Sequence, residues 1–306
     1  MKIELGQSYS FVQPGIRHSM EDARFPDCDV PSPTQRVFLV CDGVGGNSKG
    51  EVASRTVCDA IGNALMRRDL TKPLGEKEFA IALGEAYTAL EKASVQARDM
   101  ATTMALMAFH GAGVMVAYIG DSRIYQVRPG VGIMYRSDDH SLVNAMVHAG
   151  KISPDEVETH PKRHYITRSM SCDSDERDPA AVLQITDVEP GDYFVATTDG
   201  LLCEVTDEQL EEVFGLNIYD EKKINKLREM SKDSGDNSAV VIVPVKSVDS
   251  LSSPQKETVK PSKSGCITKE LPHAGDNVIS QVDPHKKLWD KLKSILKKIV
   301  QYIEMH

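Results

Sequence analysis

Patterned cysteines and histidines are missing from this chain. Among its 306 residues, 6 cysteines form no Cys-x-x-Cys pair and 9 histidines form no His-Glu-x-x-His run, so a zinc site lacks an obvious ligand set. The same unpatterned cysteines fit a reduced, cytoplasmic chain rather than a disulfide scaffold. Phosphate chemistry on a thiolate needs Arg six positions after the Cys. Cys172 comes nearest, with Arg177 one place too early. No apolar run nears the roughly 18–20 residues that cross a bilayer. Met1-Lys2-Ile3-Glu4-Leu5-Gly6 leads into polar residues, not the apolar segment of a signal peptide. Positive charge is scarce over most of the length: residues 1–245 hold 25 Lys and Arg against 38 Asp and Glu, a balance of −13, whereas residues 246–306 hold 11 against 7. An acidic body argues against nucleic acid as a partner, because phosphate backbones reward clustered Lys and Arg.

What the chain has instead is a series of short aspartate motifs. They are Cys41-Asp42-Gly43-Val44-Gly45-Gly46, Gly120-Asp121-Ser122-Arg123, Thr198-Asp199-Gly200 and Gly235-Asp236-Asn237, preceded by Arg17-His18-Ser19-Met20-Glu21-Asp22. Read alone, an Asp-Gly pair is an ordinary turn former. Read together, carboxylates at strand ends, followed by Gly where the backbone turns, aim hard oxygen ligands at one place. Mg²⁺ and Mn²⁺ take such shells of carboxylate, carbonyl and water. Two of these ions roughly 3.5–4 Å apart can lower the pKa of a shared water and clamp a phosphoryl group for in-line attack. The glycine-rich run from Gly43 to Gly50 invites a nucleotide-loop reading. It lacks the Gly-Lys-Ser/Thr ending of a P-loop, and Ser48 stands where a dinucleotide fingerprint needs its third Gly.

Apolar periodicity gives a coarse architecture. Val37–Cys41 reads as a fully buried strand, and helical spacing covers Glu51 to Arg68 and Glu76 to Arg98. Thr103–Phe109, Val114–Ile119 and Arg123–Val127 read as an antiparallel meander with Asp121 in its last tight connection. Tyr193–Thr197 and Val240–Val245 supply two more buried strands. Strand and helix blocks without strict alternation favour an α+β fold.

Five motifs in this order and at this spacing resemble the metal-dependent protein serine/threonine phosphatase family of type 2C, in its compact bacterial form. The resemblance runs from about Ser8 to Val245. Asp139-His140-Ser141-Leu142, His160-Pro161-Lys162-Arg163 and Ile166-Thr167-Arg168 resemble the flap segment of bacterial members. It implies a four-layer α-β-β-α sandwich of two central antiparallel sheets with a metal cleft at one end. It also implies hydrolysis of phosphoserine and phosphothreonine on proteins, opposing a cognate Ser/Thr kinase. Two core ions, Mn²⁺ or Mg²⁺, and a weaker third one are expected.

Roles carry over by similarity. Asp42 would bridge both core metals, Asp199 and Asp236 would hold one, and Glu21 with the Gly43 carbonyl would help hold the other. Asp22 would support the shell through water, and Asp121 would join Asp199 at the third position. Arg17 would grip the phosphate with a planar, permanently charged fork; the alternative is a surface Arg paired with Glu21. Three departures from the family pattern stand out: Ala101-Thr102-Thr103, Asp236-Asn237-Ser238-Ala239-Val240, and the Gly missing after Thr167-Arg168-Ser169. A histidine near the cleft, such as His18, can protonate a leaving alkoxide. His140 and His160 read as structural.

The chain therefore divides into a catalytic domain over 1–245, a flexible linker over 246–284 rich in Ser, Pro, Lys and Gly, and a basic amphipathic helix over 285–306. That helix gathers Leu288, Leu292, Ile295, Leu296, Ile299 and Ile303 on one face among lysines. It suits an anionic membrane surface, a partner protein or the acidic body itself. The expected location is cytoplasmic, with peripheral attachment to the inner membrane face among the helix's options. Two rivals remain at this point: a catalytically weak phosphoprotein-binding scaffold or regulatory pseudophosphatase, and a regulatory phosphatase of the anti-sigma type that differs only in substrate.

Overall fold

Strands that are apolar on both faces need cover on both sides, and that demand sets the layers here. The computed structural model describes residues 1–44, 49–94, 100–157, 159–172 and 177–249. In chain order the elements are β1 (Lys2–Leu5), β2 (Tyr9–Gln13), β3 (Ala23–Phe25), β4 (Val37–Cys41), β5 (Gly43–Val44), α1 (Gly50–Met66), α2 (Glu76–Ala93), β6 (Ala101–Thr102), β7 (Met104–His110), β8 (Gly113–Ile119), β9 (Arg123–Arg128) and β10 (Gly132–Arg136). There follow α3 (Leu142–His148), β11 (Met170–Ser171), β12 (Ala181–Ile185), β13 (Tyr193–Thr197), α4 (Asp199–Leu202), α5 (Asp207–Gly215), α6 (Asp220–Met230) and β14 (Ser238–Asp249).

One sheet has the order β12-β8-β7-β4-β3; the other has β1-β14-β13-β9-β10, with β2 also on β14. A small third sheet joins β11, β6 and β5. In β4, Val37, Leu39 and Cys41 turn to α1 and α2, while Phe38 and Val40 turn to the second sheet. In β14, Val241 and Val243 face the first sheet, and Val240 and Ile242 meet Leu210, Phe214 and Leu227 of α5 and α6. The period of two along each strand thus produces the α-β-β-α sandwich. Between the sheets, Phe109 stands edge-on to Phe38 and Phe194 at ring distances of 6.0 and 5.3 Å, contacts of about 0.5–1.5 kcal/mol each beyond burial.

Two expectations change. Val114–Ile119 and Arg123–Val127 are not neighbours in one meander: β8 lies between β12 and β7, and β9 between β13 and β10 in the other sheet. Gly120 makes that crossover at φ +102°, where a Cβ would come within 2.6 Å of the Thr103 methyl group. Asp121 therefore sits where the chain changes sheets. The last strand also continues past Val245 to Asp249, because β1 pairs with it from Leu5↔Val245 to Lys2↔Asp249. The helix α2 ends at Ala93, and residues 95–98 of its expected span lie outside the described residues, as does the predicted 285–306 helix. Met1–Ser253 forms one compact unit.

Candidate active site

Strand ends and the turns after them carry the acids. Asp42 follows β4 with its backbone held firmly. Its N–H donates to Thr103 Oγ1 at 2.9 Å, and its carbonyl accepts from the Thr103 N–H at 2.8 Å and the Thr102 hydroxyl at 2.7 Å. Thr103 Oγ1 lies 2.6 Å from Ser122 Oγ, which ties Asp42 to the crossover bearing Asp121. Asp199 follows β13 and opens α4. A Cβ on Gly200 would fall 1.9 Å from the Asn237 carbonyl oxygen, so the turn bearing Asp199 packs backbone to backbone on the turn bearing Asp236.

Asn237 joins a third segment to these two. Its Nδ2 donates to the carbonyls of Pro14 (3.0 Å) and Ser19 (2.9 Å), and its Oδ1 accepts from the Glu21 N–H (2.7 Å). Asp22, buried, accepts from Thr198 Oγ1 at 2.7 Å, and Thr198 Oγ1 accepts in turn from the Ala239 N–H at 2.8 Å. Glu21 and Gly43 face the same notch: a Cβ on Gly50 would meet Glu21 Oε2 at 2.7 Å and the Gly43 carbonyl at 2.8 Å. Arg17 pairs with Asp236 rather than Glu21. Its Nη2 is 2.8 Å from Asp236 Oδ2, and its Nε donates to the Gly235 carbonyl at 2.8 Å. The ion pair considered with Glu21 is not formed; Ser19 Oγ donates to Glu21 instead.

Arg17, Glu21, Asp42, Gly43, Asp121, Asp199 and Asp236 line one cavity of about 630 Å³. Asp22 lies behind its wall. Burial pushes the Asp22 carboxyl up to about 8, and Asp199 and Asp236 add to that rise against the Thr198 hydrogen bond. Burial raises Asp121 to about 7, helped by Asp199 and Asp139. Asp42 and Asp199 are raised too, first by burial and then by Asp22 and Asp236 respectively. One carboxylate oxygen of Asp199 is buried with no hydrogen-bond partner. Among the described residues no three acids, cysteines or histidines are drawn into a closed metal shell; the acids face a shared space. Anionic oxygens buried beside one another and left unpartnered are unfavourable alone, and this donor set of carboxylates plus a carbonyl fits hard divalent cations.

Two wall residues escape sequence reasoning. His164 and Cys203 line the same cavity, beside Ile166 of the flap motif. His164 lies in an irregular stretch with no apolar period to mark it, whereas the Thr102-Thr103 and Asn237 contacts adjoin motifs already visible. His140 is structural, as expected: its Nδ1 accepts from the Gly120 N–H at 3.2 Å, its ring stacks on Tyr118, and burial lowers its pKa to about 4. His160 Nδ1 accepts from the Lys162 N–H at 3.1 Å.

A sequence profile described as protein phosphatase 2C matches residues 27–221. The chain belongs to the protein phosphatase 2C family. It is accordingly an enzyme of the protein serine/threonine phosphatase class, a phosphoric monoester hydrolase. A putative protein phosphatase 2C-type of Streptococcus pyogenes is 29% identical over 218 residues, covering 70% of this chain and 87% of that protein. The serine/threonine phosphatase Stp1 of Staphylococcus aureus superposes with a TM-score of 0.68 at 25% identity, over 80% of this chain and 96% of that one. The catalytic domain of the phosphatase PstP, solved in complex with 2 manganese ions, gives a TM-score of 0.63 at 24% identity, over 80% of this chain and all of that one. No helix among the described residues is long and apolar enough to cross a membrane.

Proposed function

We propose that this protein phosphatase hydrolyses phosphoserine and phosphothreonine on proteins with two divalent ions, Mn²⁺ or Mg²⁺. The observation that carries the reading is the buried carboxylate cluster around one cavity, with an Asp199 oxygen left without a partner. Asp42 would serve both ions, Asp199 and Asp236 would hold one, and Glu21 with the Gly43 carbonyl would hold the other. Asp121 and Asp199 would hold a weaker third ion. Bound there, the ions supply the charge that acidifies an attacking water and neutralises phosphoryl oxygens. Asp22 steadies this arrangement from behind, through Thr198. Arg17 keeps Nε and Nη2 on Gly235 and Asp236, which leaves Nη1 and the outer proton of Nη2 for the phosphate. Phosphate release from a phosphothreonine peptide with Mn²⁺, abolished by a chelator, is the expected result; release undiminished by the chelator overturns the reading.

The substrates are the products of a cognate Ser/Thr kinase, and no nucleic acid is involved. The region from 250 to 284 acts as a linker, and the 285–306 helix carries the enzyme to an anionic membrane surface or a partner protein. A chain ending at Ser253 should hydrolyse a small phosphate ester as well as the full chain does while losing sedimentation with anionic vesicles or the partner. Inactivity of the shortened chain on the small ester excludes the localising role.

A further inference from the structure

Two hollows continue the catalytic cavity. The first, about 330 Å³, shares Asp121, His164, Asp199 and Cys203 with it. The second, about 260 Å³, shares Arg123, Asp139 and Val157 with the first. Shared walls make the three one trench. It leads away from the acids between α3 with the Pro154–Glu156 turn on one side and the facing ends of β9 and β10 on the other.

Several charges along this extension are already satisfied within the protein, and Arg163 adds a further cation to the wall of the first hollow. Arg123 grips both Asp139 oxygens at 2.7 Å, Arg136 bonds Asp207 at 2.6 Å, and His148 bonds Asp138 at 2.8 Å. Val143, Val147, Val157 and Pro154 supply apolar surface between them. A small phosphate ester fits the first cavity and has no use for the rest. An extended polypeptide, by contrast, advances about 3.3–3.6 Å per residue and presents side chains alternately to two walls.

We infer that the trench holds the polypeptide on one side of the phosphoresidue, as an extended segment with apolar side chains seated against Val147 and Val157. The occupant is a phosphoprotein tail or loop, and the trench sets which sequences the enzyme prefers. This rests on the phosphatase reading above.

The test compares para-nitrophenyl phosphate with phosphothreonine peptides extended by four valines before or after the phosphoresidue, using the full chain with Mn²⁺. Extension on one side should raise kcat/KM about tenfold or more, the scale of one or two buried apolar side chains. Val147→Arg and Val157→Arg, made separately, should each remove that gain while leaving para-nitrophenyl phosphate turnover unchanged, which also reports intact folding. If extension on neither side matters while the small ester is hydrolysed, or if both variants keep the gain, the trench assignment falls and the phosphatase reading stands. If the native chain hydrolyses neither substrate, both fall together.

Discussion

The two sides of the catalytic cavity are built from different material. On one side Asp22, Asp42 and Asp199 stand at strand ends of the sandwich, backed by the buried Thr102, Thr103, Thr198 and Asn237. On the other, the described residues from Leu142 to Arg168 hold one short helix and a single 3₁₀ turn, and Arg163, His164 and Tyr165 there are exposed. Strand ends are stiff, which suits groups whose position must hold within about half an ångström. The irregular wall tolerates change and meets the partner first. On the two readings proposed above, chemistry and choice of substrate fall to separate parts of the chain.

The sharpest way to break this division is at the stiff side. Asp199→Asn should lower turnover by orders of magnitude with Mn²⁺ present. It should not lower the thermal midpoint measured without metal, because it removes one of several buried, mutually repelling carboxylates. Full activity of this variant sinks the two-ion mechanism. Thr198→Val, one layer further back, frees Asp22 and should weaken Mn²⁺ affinity or activity by roughly 10–100-fold, visible as a raised metal requirement in a titration. A titration identical to that of the native chain would mean Thr198 supports nothing. Arg17→Lys keeps charge and loses the fork, and kcat/KM for a phosphopeptide should fall about tenfold, the scale of one charge-assisted hydrogen bond. Unchanged kinetics for it and for Arg17→Ala return Arg17 to a plain partner of Asp236. At the exposed wall, Tyr165→Ala should change para-nitrophenyl phosphate turnover by no more than about twofold, in line with surface substitutions. A larger loss on that small substrate would show that the irregular wall takes part in the chemistry.

The same division governs what the sequence discloses. β4 and β13 have the bounds expected from Val37–Cys41 and Tyr193–Thr197, because a strand buried on both faces is an unbroken apolar run with clear ends. The acids that follow were legible for the same reason. The sheet change at Gly120 was not, since nothing local distinguishes a turn within a sheet from one between sheets; the partners that decide it, such as Tyr193↔Val127, are distant in sequence. Lys246-Ser247-Val248-Asp249 looks like the start of a linker until β1 is seen beside it. Arg17 was placed at the cavity, yet its partner Asp236 comes from the far end of the domain. His164 had no signal, because a wall without regular secondary structure has no period to betray which side chains turn inward.

β14 has a consequence for the order in which the molecule is made. The first sheet draws its strands from Ala23 to Ile185, whereas the second needs Lys2–Gln13 from one extremity and Ser238–Asp249 from the other. A chain emerging from the ribosome can complete the first sheet while β1 and β2 still wait for a neighbour. Such late, long-range closure is slow. Asn237 brings Pro14, Ser19 and Glu21 into place only once β14 arrives, so Arg17 and Glu21 meet Asp199 and Asp236 when the last strand of the second sheet pairs. A nascent or clipped chain that stops at Asn237 still carries Glu21, Asp22, Asp42, Asp121, Asp199 and Asp236, yet it lacks the strand that brings them together and should hydrolyse nothing.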